Sequence, residues 1–430
     1  MHWDEERAGE TLRTLMREAD LPPIGSDVGR ARRTGRRQTI GRRTAVAAAV
    51  TVVVTGASAV TVVTLRQDDS MDLVADDRAM SCQMAEKLPL PPGTTTGWVS
   101  GVDSSGRYAV GKAAANQQDT AGPKVLWKDK VPTVLDGAPA GYSDTIAVNS
   151  RGDVIGGPQA LSSQDPARDA PAWLYRDGRY QNLRAPKGLQ DASASAINDR
   201  GDIAGSAREG DRWYAIVWPA GAPDKPRRLE APDDAIAYGI GADGTVVGEM
   251  RPALGTVKGM FQPGRPWVWT KEGRGRELAV PAGWAGGSAL SVKDGWILGY
   301  LVRAKTDRGF QTQEMVPARW RLKGGAAQIL GEPSDIVEIV GNTGWFVAHT
   351  VPTGWSPTVL TYLDGRIRRG PEPTADPTRE GPGGEKIPLP VIGDGGTMWV
   401  RETGRELTVL ANGSPEEADP PKPTIWKCQI

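Results

Sequence analysis

Residues 194–206 read ASAINDRGDIAGS. Small and apolar residues alternate on both sides of Asn198-Asp199-Arg200-Gly201, a period of two on either flank of a turn signal. Asn and Asp bond their own backbone in such turns and Gly supplies a positive φ, so the segment predicts a tight β-hairpin. Related stretches recur at residues 99–111 (VSGVDSSGRYAVG), 145–157 (TIAVNSRGDVIGG), 237–249 (AYGIGADGTVVGE), 289–300 (ALSVKDGWILGY), 337–349 (VEIVGNTGWFVAH) and 389–401 (LPVIGDGGTMWVR). Their turn glycines are Gly106, Gly152, Gly201, Gly244, Gly295, Gly344 and Gly395, successive ones standing 43 to 51 residues apart.

Each hairpin is followed by a third strand with an indole: Trp127 in VLWKD, Trp173 in AWLYRDG, Trp218 in AIVWP, Trp269 in WVWTKEG and Trp320 in ARWRL, with Leu360 in VLTYLDG as a degenerate copy. A short fourth strand then runs into proline, as in YQNLRAP, RRLEAP, RELAVP and AQILGEP. Four short strands in about 48 residues match a propeller blade and not a leucine-rich or ankyrin unit. The sequence therefore predicts an all-β fold, a seven-bladed β-propeller of four-stranded blades over residues 82–430. With 15 Trp against 3 Phe, the indoles are expected to fill the space between blades.

The chain ends complete one blade in this reading. MAEKLPLPPG, near residue 90, reads as a fourth strand with no partner before it, and TIWKC at the C-terminus as a third strand with none after it. Joining them sets Cys428 opposite Cys82, and a disulfide there is predicted to lock the ring, as an oxidising compartment permits.

The stretches SAINDRGDIAGSA followed by AIVW, and AVNSRGDVIGG followed by AWLYRDG, resemble the HAF-type extracellular repeats of bacterial surface proteins. The likeness is clear in the second and third copies, weaker in the first, fourth and fifth, and marginal in the last two, where the small residue after the hairpin becomes Ala348 or Val400. It implies a β-propeller-like, envelope-exposed repeat domain and brings no chemistry with it.

Residues 44–65, TAVAAAVTVVVTGASAVTVVTL, hold 22 positions without a charge, enough to cross about 30 Å of hydrocarbon as a helix. Seven arginines (Arg30, Arg32, Arg33, Arg36, Arg37, Arg42 and Arg43) precede the span and the acidic RQDDSMDLVADD follows it. The positive-inside rule thus puts residues 1–43 in the cytoplasm and the acidic linker 66–81 outside. A cleaved signal is the competing reading, from the small-x-small Ala57-Ser58-Ala59 and from Arg36-Arg37 or Arg42-Arg43 as a twin-arginine motif. Retention is favoured because the apolar run continues past Ala59 and 43 residues precede it. In the head, Leu12, Leu15, Met16 and Ala19 form an apolar stripe on a short helix stopped by Pro22-Pro23. Arginine-rich flank and span together are similar to the anchors of many actinobacterial membrane proteins.

Composition removes several chemistries. Lys plus Arg and Asp plus Glu are both 52, so no global basic field recruits nucleic acid. His2 and His349 are the only histidines and Cys82 and Cys428 the only cysteines; no metal site and no cofactor is predicted. No GxSxG elbow, HExxH or phosphate loop occurs.

Antiparallel strands put the first and third turns of every blade on one face and the longer connections, including 157–170, 250–266 and 301–317, on the other. Long loops carry function more often than tight turns. The ligand candidates are accordingly the aromatics Tyr142, Phe261, Trp284, Phe310 and Trp355, suited to sugar rings or peptides, and Arg251, Arg265, Arg303 and Arg308, suited to carboxylates. Asp103, Asp153, Asp202, Asp243 and Asp394 sit beside the repeated turns and are read as turn formers. The sequence reading is a single-pass membrane protein whose propeller is a binding or sensing module at the cell envelope. Its expected partners are the lipid bilayer, an envelope glycan, peptide or protein, and a cytoplasmic protein at the head. Two alternatives stand beside it: a glycan-active hydrolase or lyase on the long-loop face, and a signal transducer working through the head.

Overall fold

The computed structural model describes residues 81–330 apart from 117–121, 138–142, 159–170, 252–262 and 308–309, and beyond Leu330 mainly the backbone of strands. The head, the apolar span and most of the acidic linker lie outside the described residues. The chain divides into two units, Met1–Gln67 and Asp68–Ile430, and every described strand belongs to the second.

Strand β1 (Ser81–Lys87) precedes five successive four-stranded antiparallel meanders consistent with propeller blades. Blade 1 is β2 (Thr96–Val102), β3 (Tyr108–Ala114), β4 (Lys124–Lys128) and β5 (Val131–Val134). Blade 2 is β6 (Ser143–Val148), β7 (Val154–Pro158), β8 (Trp173–Arg176) and β9 (Arg179–Asn182). Blade 3 is β10 (Gln190–Ile197), β11 (Ile203–Glu209), β12 (Arg212–Trp218) and β13 (Arg227–Arg228). Blade 4 is β14 (Asp234–Ile240), β15 (Val246–Arg251), β16 (Arg265–Trp269) and β17 (Gly275–Glu277). Blade 5 is β18 (Gly286–Lys293), β19 (Trp296–Asp307), β20 (Phe310–Arg321) and β21 (Gln328–Ile329).

A further sheet holds β22 (Ile336–Val340), β23 (Trp345–His349), β24 (Val359–Thr361) and β25 (Ile367–Arg369), followed by the hairpin β26 (Thr378–Glu380) and β27 (Lys386–Pro388). Last come β28 (Met398–Thr403), β29 (Glu406–Gly413) and β30 (Lys422–Gln429), which join β1 in the order β1-β30-β29-β28. The first and last described strands, β1 and β30, therefore share a sheet, as the sequence patterns around residues 84–93 and 424–428 imply. The repeat pattern places Met398–Arg401 second in that sheet, whereas the backbone makes it first and β29 second; Leu389–Ile392 lies outside the described residues.

The stacking is uniform. The first strand of each blade packs on the second strand and its neighbours in the preceding sheet, as β6 does on β2 and β3, β14 on β11 and β12, and β18 on β15 and β16. β2 in turn packs on β29 and β30, which carries the same relation across the junction of the chain ends.

Three devices recur among the blades. In β2, β6, β10, β14 and β18 the register slips by one residue, leaving Ser100, Ile146, Ser195, Tyr238 and Leu290 unpaired as β-bulges. The bulged strand presses on the glycine that ends each hairpin motif. A Cβ on Gly111, Gly205, Gly248 or Gly299 would overlap the carbonyl oxygen of Trp98, Ser193, Ile236 or Ser288 respectively. That is why the motif needs a small residue there.

The second device is the indole. Trp127, Trp218, Trp269 and Trp320 are at most 1 % exposed, and each donates Nε1–H to a main-chain oxygen entering its own blade: Pro89, Arg184, Glu230 and Ala279, at 2.7–2.8 Å. Each acceptor follows a buried leucine, Leu88, Leu183, Leu229 or Leu278. Blade 2 departs from the sequence reading. Tyr175, opposite Val154, takes the place that Trp218 takes opposite Ile203, while Trp173 sits two residues earlier, opposite Gly156. There Tyr180 bonds the Leu135 oxygen at 3.2 Å and stacks edge-on to Trp173.

The turns supply the third device. Asn149 Nδ2 donates to the Asn198 oxygen at 3.1 Å, and Asn198 Nδ2 to the Gly241 oxygen at 2.9 Å, linking blades 2, 3 and 4 turn to turn.

Candidate functional site

The turn carboxylates are structural, as their place in the repeat implies. Asp103 accepts from the Ser105 and Tyr108 amides at 2.9 and 2.6 Å, and Asp243 from the Thr245 amide and hydroxyl at 2.9 Å. Asp153 is held by Asn149, Arg151 and Arg176; Asp202 by Asn198, Arg200 and the Ala220 amide. Burial pushes both carboxyls up, but these donors outweigh it and hold both below the usual range. Asp394 lies outside the described residues.

The same turns enclose a cavity of about 350 Å³. Ser104 of blade 1, Asn198 and Asp199 of blade 3, Gly241 and Asp243 of blade 4, and Lys293 and Asp294 of blade 5 all line it. Ser104 Oγ donates to Asp199 Oδ2 at 3.1 Å across a gap of 95 residues. A second cavity, about 230 Å³, lies between the closing sheet and blade 1, with Leu88, Val102, Trp127, Leu410 and Ile425 as an apolar floor.

At the opposite ends of the strands, blades 4 and 5 build a polar cluster. Glu249 follows Gly248 in β15 and is 6 % exposed. Its Oε1 accepts from the hydroxyl of the bulged Tyr238 at 3.0 Å and from Arg251 Nε at 2.6 Å. Its Oε2 accepts from Ser288 of β18, which also bonds the Tyr300 hydroxyl at 3.2 Å. The segment leading into β16 passes close by: a Cβ on Gly264 would lie 2.9 Å from Glu249 Oε2. Burial, then the Glu249 anion, raises the Tyr238 phenol. Tyr300 is raised chiefly by burial. Both stay protonated at neutral pH, and the Tyr238 proton is donated to Glu249. Burial opposes the Arg251 charge, but Tyr238 and Glu249 outweigh it and raise that pKa. One carboxyl nearby moves the other way: Asp234, opposite Arg251 in the β14–β15 ladder, is raised by burial even with Arg212 Nε at 3.8 Å.

The sequence candidates fall into three groups. Trp284 and Arg303 are brought together, the guanidinium 4.8 Å from the indole centroid, with Arg303 Nε on Glu314 at 2.6 Å. Arg251 and Arg265 are each placed against acids, Arg265 between Asp233 at 2.7 Å and Glu277 at 3.0 Å. Every described arginine of the set thus already has a carboxylate. Tyr142, Phe261, Trp355 and Arg308 lie outside the described residues, as does the side chain of Phe310. The connection read as a loop at 301–317 is instead a ribbon: β19 and β20 stay paired from Trp296↔Arg321 to Asp307↔Phe310.

Sequence reasoning passed over Tyr238, Glu249, Ser288 and Tyr300. The signal was the position after the hairpin glycine, which reads Lys112, Gly157, Ser206, Glu249 and Tyr300 across the five blades. It varies where its neighbours repeat. Among the described residues no three His, Cys, Asp or Glu side chains gather to hold a metal, and no helix is long and apolar enough to cross a membrane.

No family model matches the chain, and no curated protein is similar to it in sequence. Among solved structures it is similar to β-propeller proteins. TolB from Acinetobacter baumannii aligns at 11 % identity and a TM-score of 0.37, covering 66 % of this chain and 64 % of that one. A prolyl endopeptidase aligns at 10 % and 0.45, covering 79 % and 50 %. YCF48 from Cyanidioschyzon merolae aligns at 10 % and 0.36, covering 80 % and 98 %. The chain thus spans about half the length of the endopeptidase and under two thirds of TolB.

Proposed function

We propose that the chain is a single-pass membrane protein whose extracytoplasmic seven-bladed propeller binds or senses a ligand at the bacterial cell envelope. The observation that supports binding is the edge of blades 4 and 5, where the Tyr238 and Tyr300 hydroxyls are fixed by buried Glu249 and Ser288, and the Trp284 ring lies beside Arg303. Recognition groups held in place before the ligand arrives lose little entropy on binding. Because Arg251, Arg265 and Arg303 are already neutralised, the favoured ligand is a neutral hydroxyl-rich sugar or a peptide backbone rather than a free carboxylate.

The test is a thermal-shift screen of the purified full chain in detergent against cell-wall fragments, polysaccharides, small metabolites and divalent ions. A ligand that raises the midpoint of the wild type and not of Trp284→Ala or Tyr300→Phe supports the reading. A panel with no effect, or a shift that both variants keep, rejects this site. A glycan-active reading draws on one observation: Asp234 faces Arg251 across the β14–β15 ladder, and Arg251 bonds the Glu249 carboxylate, so two acids share one arginine. It requires product release from the same ligand, abolished in Asp234→Asn.

A further inference from the structure

The chain's two cysteines, Cys82 and Cys428, are facing partners in the antiparallel pair β1·β30. Facing Cα atoms in such a pair stand about 4.5 or 5.5 Å apart, inside the roughly 4.4–6.8 Å that a disulfide spans. This is a property of backbone register; the two side chains lie outside the described residues. We propose that the pair forms a disulfide clamp that fixes the chain's entry strand onto the closing sheet.

The need for a clamp follows from how β1 is held. It is the outer strand of its sheet, with β30 as its neighbour. Its C-terminal end is anchored three ways. Leu88 is 4 % exposed and donates its N–H to the Pro423 oxygen at 2.8 Å, Glu86 pairs with Lys130 of blade 1, and the Pro89 oxygen accepts the Trp127 indole. At the N-terminal end the described residues supply the facing pairs Ser81↔Gln429 and Cys82↔Cys428. Fraying, or a pull on the preceding chain, peels β1 from that end. A covalent bond at the second pair halts the peel before Gln83 and protects every pair behind it.

On closure the two thiols lose two protons and two electrons as the S–S bond forms. An oxidised thiol or a dithiol oxidase of the envelope takes up both and is itself reduced to thiols. In a reducing cytosol the pair stays open, so closure follows export.

The full chain is isolated from intact cells under alkylating, non-reducing conditions and digested. The expected product is a cross-linked peptide joining Cys82 and Cys428, with neither thiol alkylated. Reductant is expected to lower the melting midpoint by about 5–10 °C and to speed amide exchange in residues 81–87. The Cys82→Ser/Cys428→Ser variant is expected at the reduced midpoint, indifferent to reductant. Thiols that stay free both in cells and after incubation of the purified chain with oxidised glutathione overturn the proposal. A bond that opens without change in the midpoint or in β1 exchange overturns the clamp. A bond that forms with oxidised glutathione but not in cells upholds the register and counts against the extracytoplasmic reading.

Discussion

Replacing Gly248 by alanine separates backbone propensity from packing, because the two give opposite signs. In an open strand Gly→Ala is worth about 0.5–1 kcal/mol of added stability, since it narrows the unfolded ensemble. At Gly248 the new methyl overlaps the Ile236 carbonyl oxygen and lies 2.9 Å from its carbon and 3.0 Å from Ala237 Cα. All three atoms are backbone of the bulged strand β14, so no rotamer change relieves the clash. Overpacking of this kind costs about 1–3 kcal/mol, and the upper part of that range applies when the neighbour is main chain, leaving a net loss of about 2 kcal/mol. A propeller of about 350 residues, the size expected from the sequence, has at roughly 2.1 cal/mol/K per residue an unfolding entropy near 0.7 kcal/mol/K, so the midpoint falls by about 3 °C. The assay is scanning calorimetry of the purified chain, with Gly299→Ala as a repeat of the experiment in blade 5. Gly178→Ala is the control: its φ is +75° but nothing lies within 4 Å, so it reports left-handed strain alone, about 1 kcal/mol. A Gly248→Ala midpoint equal to or above that of the wild type would refute the reasoning. The sixth sheet already offers a natural comparison, since Ala348 takes this place in β23 and its partner β22 runs without a register slip.

Trp218→Phe keeps the apolar bulk but leaves the Arg184 oxygen without its indole donor; a loss of about 1–2 kcal/mol in urea unfolding is expected, against about 3–5 for Trp218→Ala. Asp153 and Asp202 have lowered folded-state pKa values, so their stabilisation is complete above the ordinary carboxylate pKa and is lost as pH falls through the lowered one. Denaturation midpoints followed from pH 6 down to about pH 2 are expected to fall more steeply in the wild type than in Asp153→Asn. Asp234 has the opposite sign: its raised pKa means the protonated form favours folding, so Asp234→Asn is expected to match the wild type in acid and exceed it near neutrality. Glu249→Ala leaves Arg251 and the Tyr238 and Ser288 hydroxyls without their acceptor. The expected loss is about 2 kcal/mol, below the cost for a fully buried pair because the Arg251 side chain is 48 % exposed, and Glu249→Gln recovers part of it.

The hairpins, the indole strands and the sharing of a sheet by the chain ends were legible because each rests on a short-range rule: alternation, an Asx-Gly turn, a bulky residue at a fixed offset. Tyr175 was not, because an indole two residues away in the same strand carries the stronger signal, and only the pairing with Val154 reveals which one is equivalent. The ribbon β19–β20 reads as a loop for a related reason: Arg303, Lys305, Asp307 and Arg308 break the apolar alternation, although a two-stranded arm needs no buried face to keep its ladder. In the last copy, Asp394-Gly395 mimics the repeated turn closely enough to capture the alignment, while the closing hairpin turns between Thr403 and Glu406.

The candidate site was hidden for a reason built into the repeat. Its framework fixes the bulge and the hairpin glycine, both constrained by backbone within their own blade, and the turn, which is also tied to the next turn. The residue after the glycine lies outside that framework except in blade 2, where a Cβ on Gly157 would lie 3.0 Å from Ala172 Cα; in blades 3 and 4 it reaches the next blade: Ser206 Oγ accepts from the Ala237 amide, and Glu249 accepts from Ser288. A repeat protein can change such positions without disturbing the hairpin itself, losing only the contacts the residue makes to the next blade. Lys112, Ser206, Glu249 and Tyr300 are all at least partly buried and chemically unlike one another, which is the distribution expected of a site rather than of a scaffold. A search for periodic signal discards that kind of information, because it averages over the copies; the place to look for function in this chain is where the copies disagree at a position that the backbone leaves open.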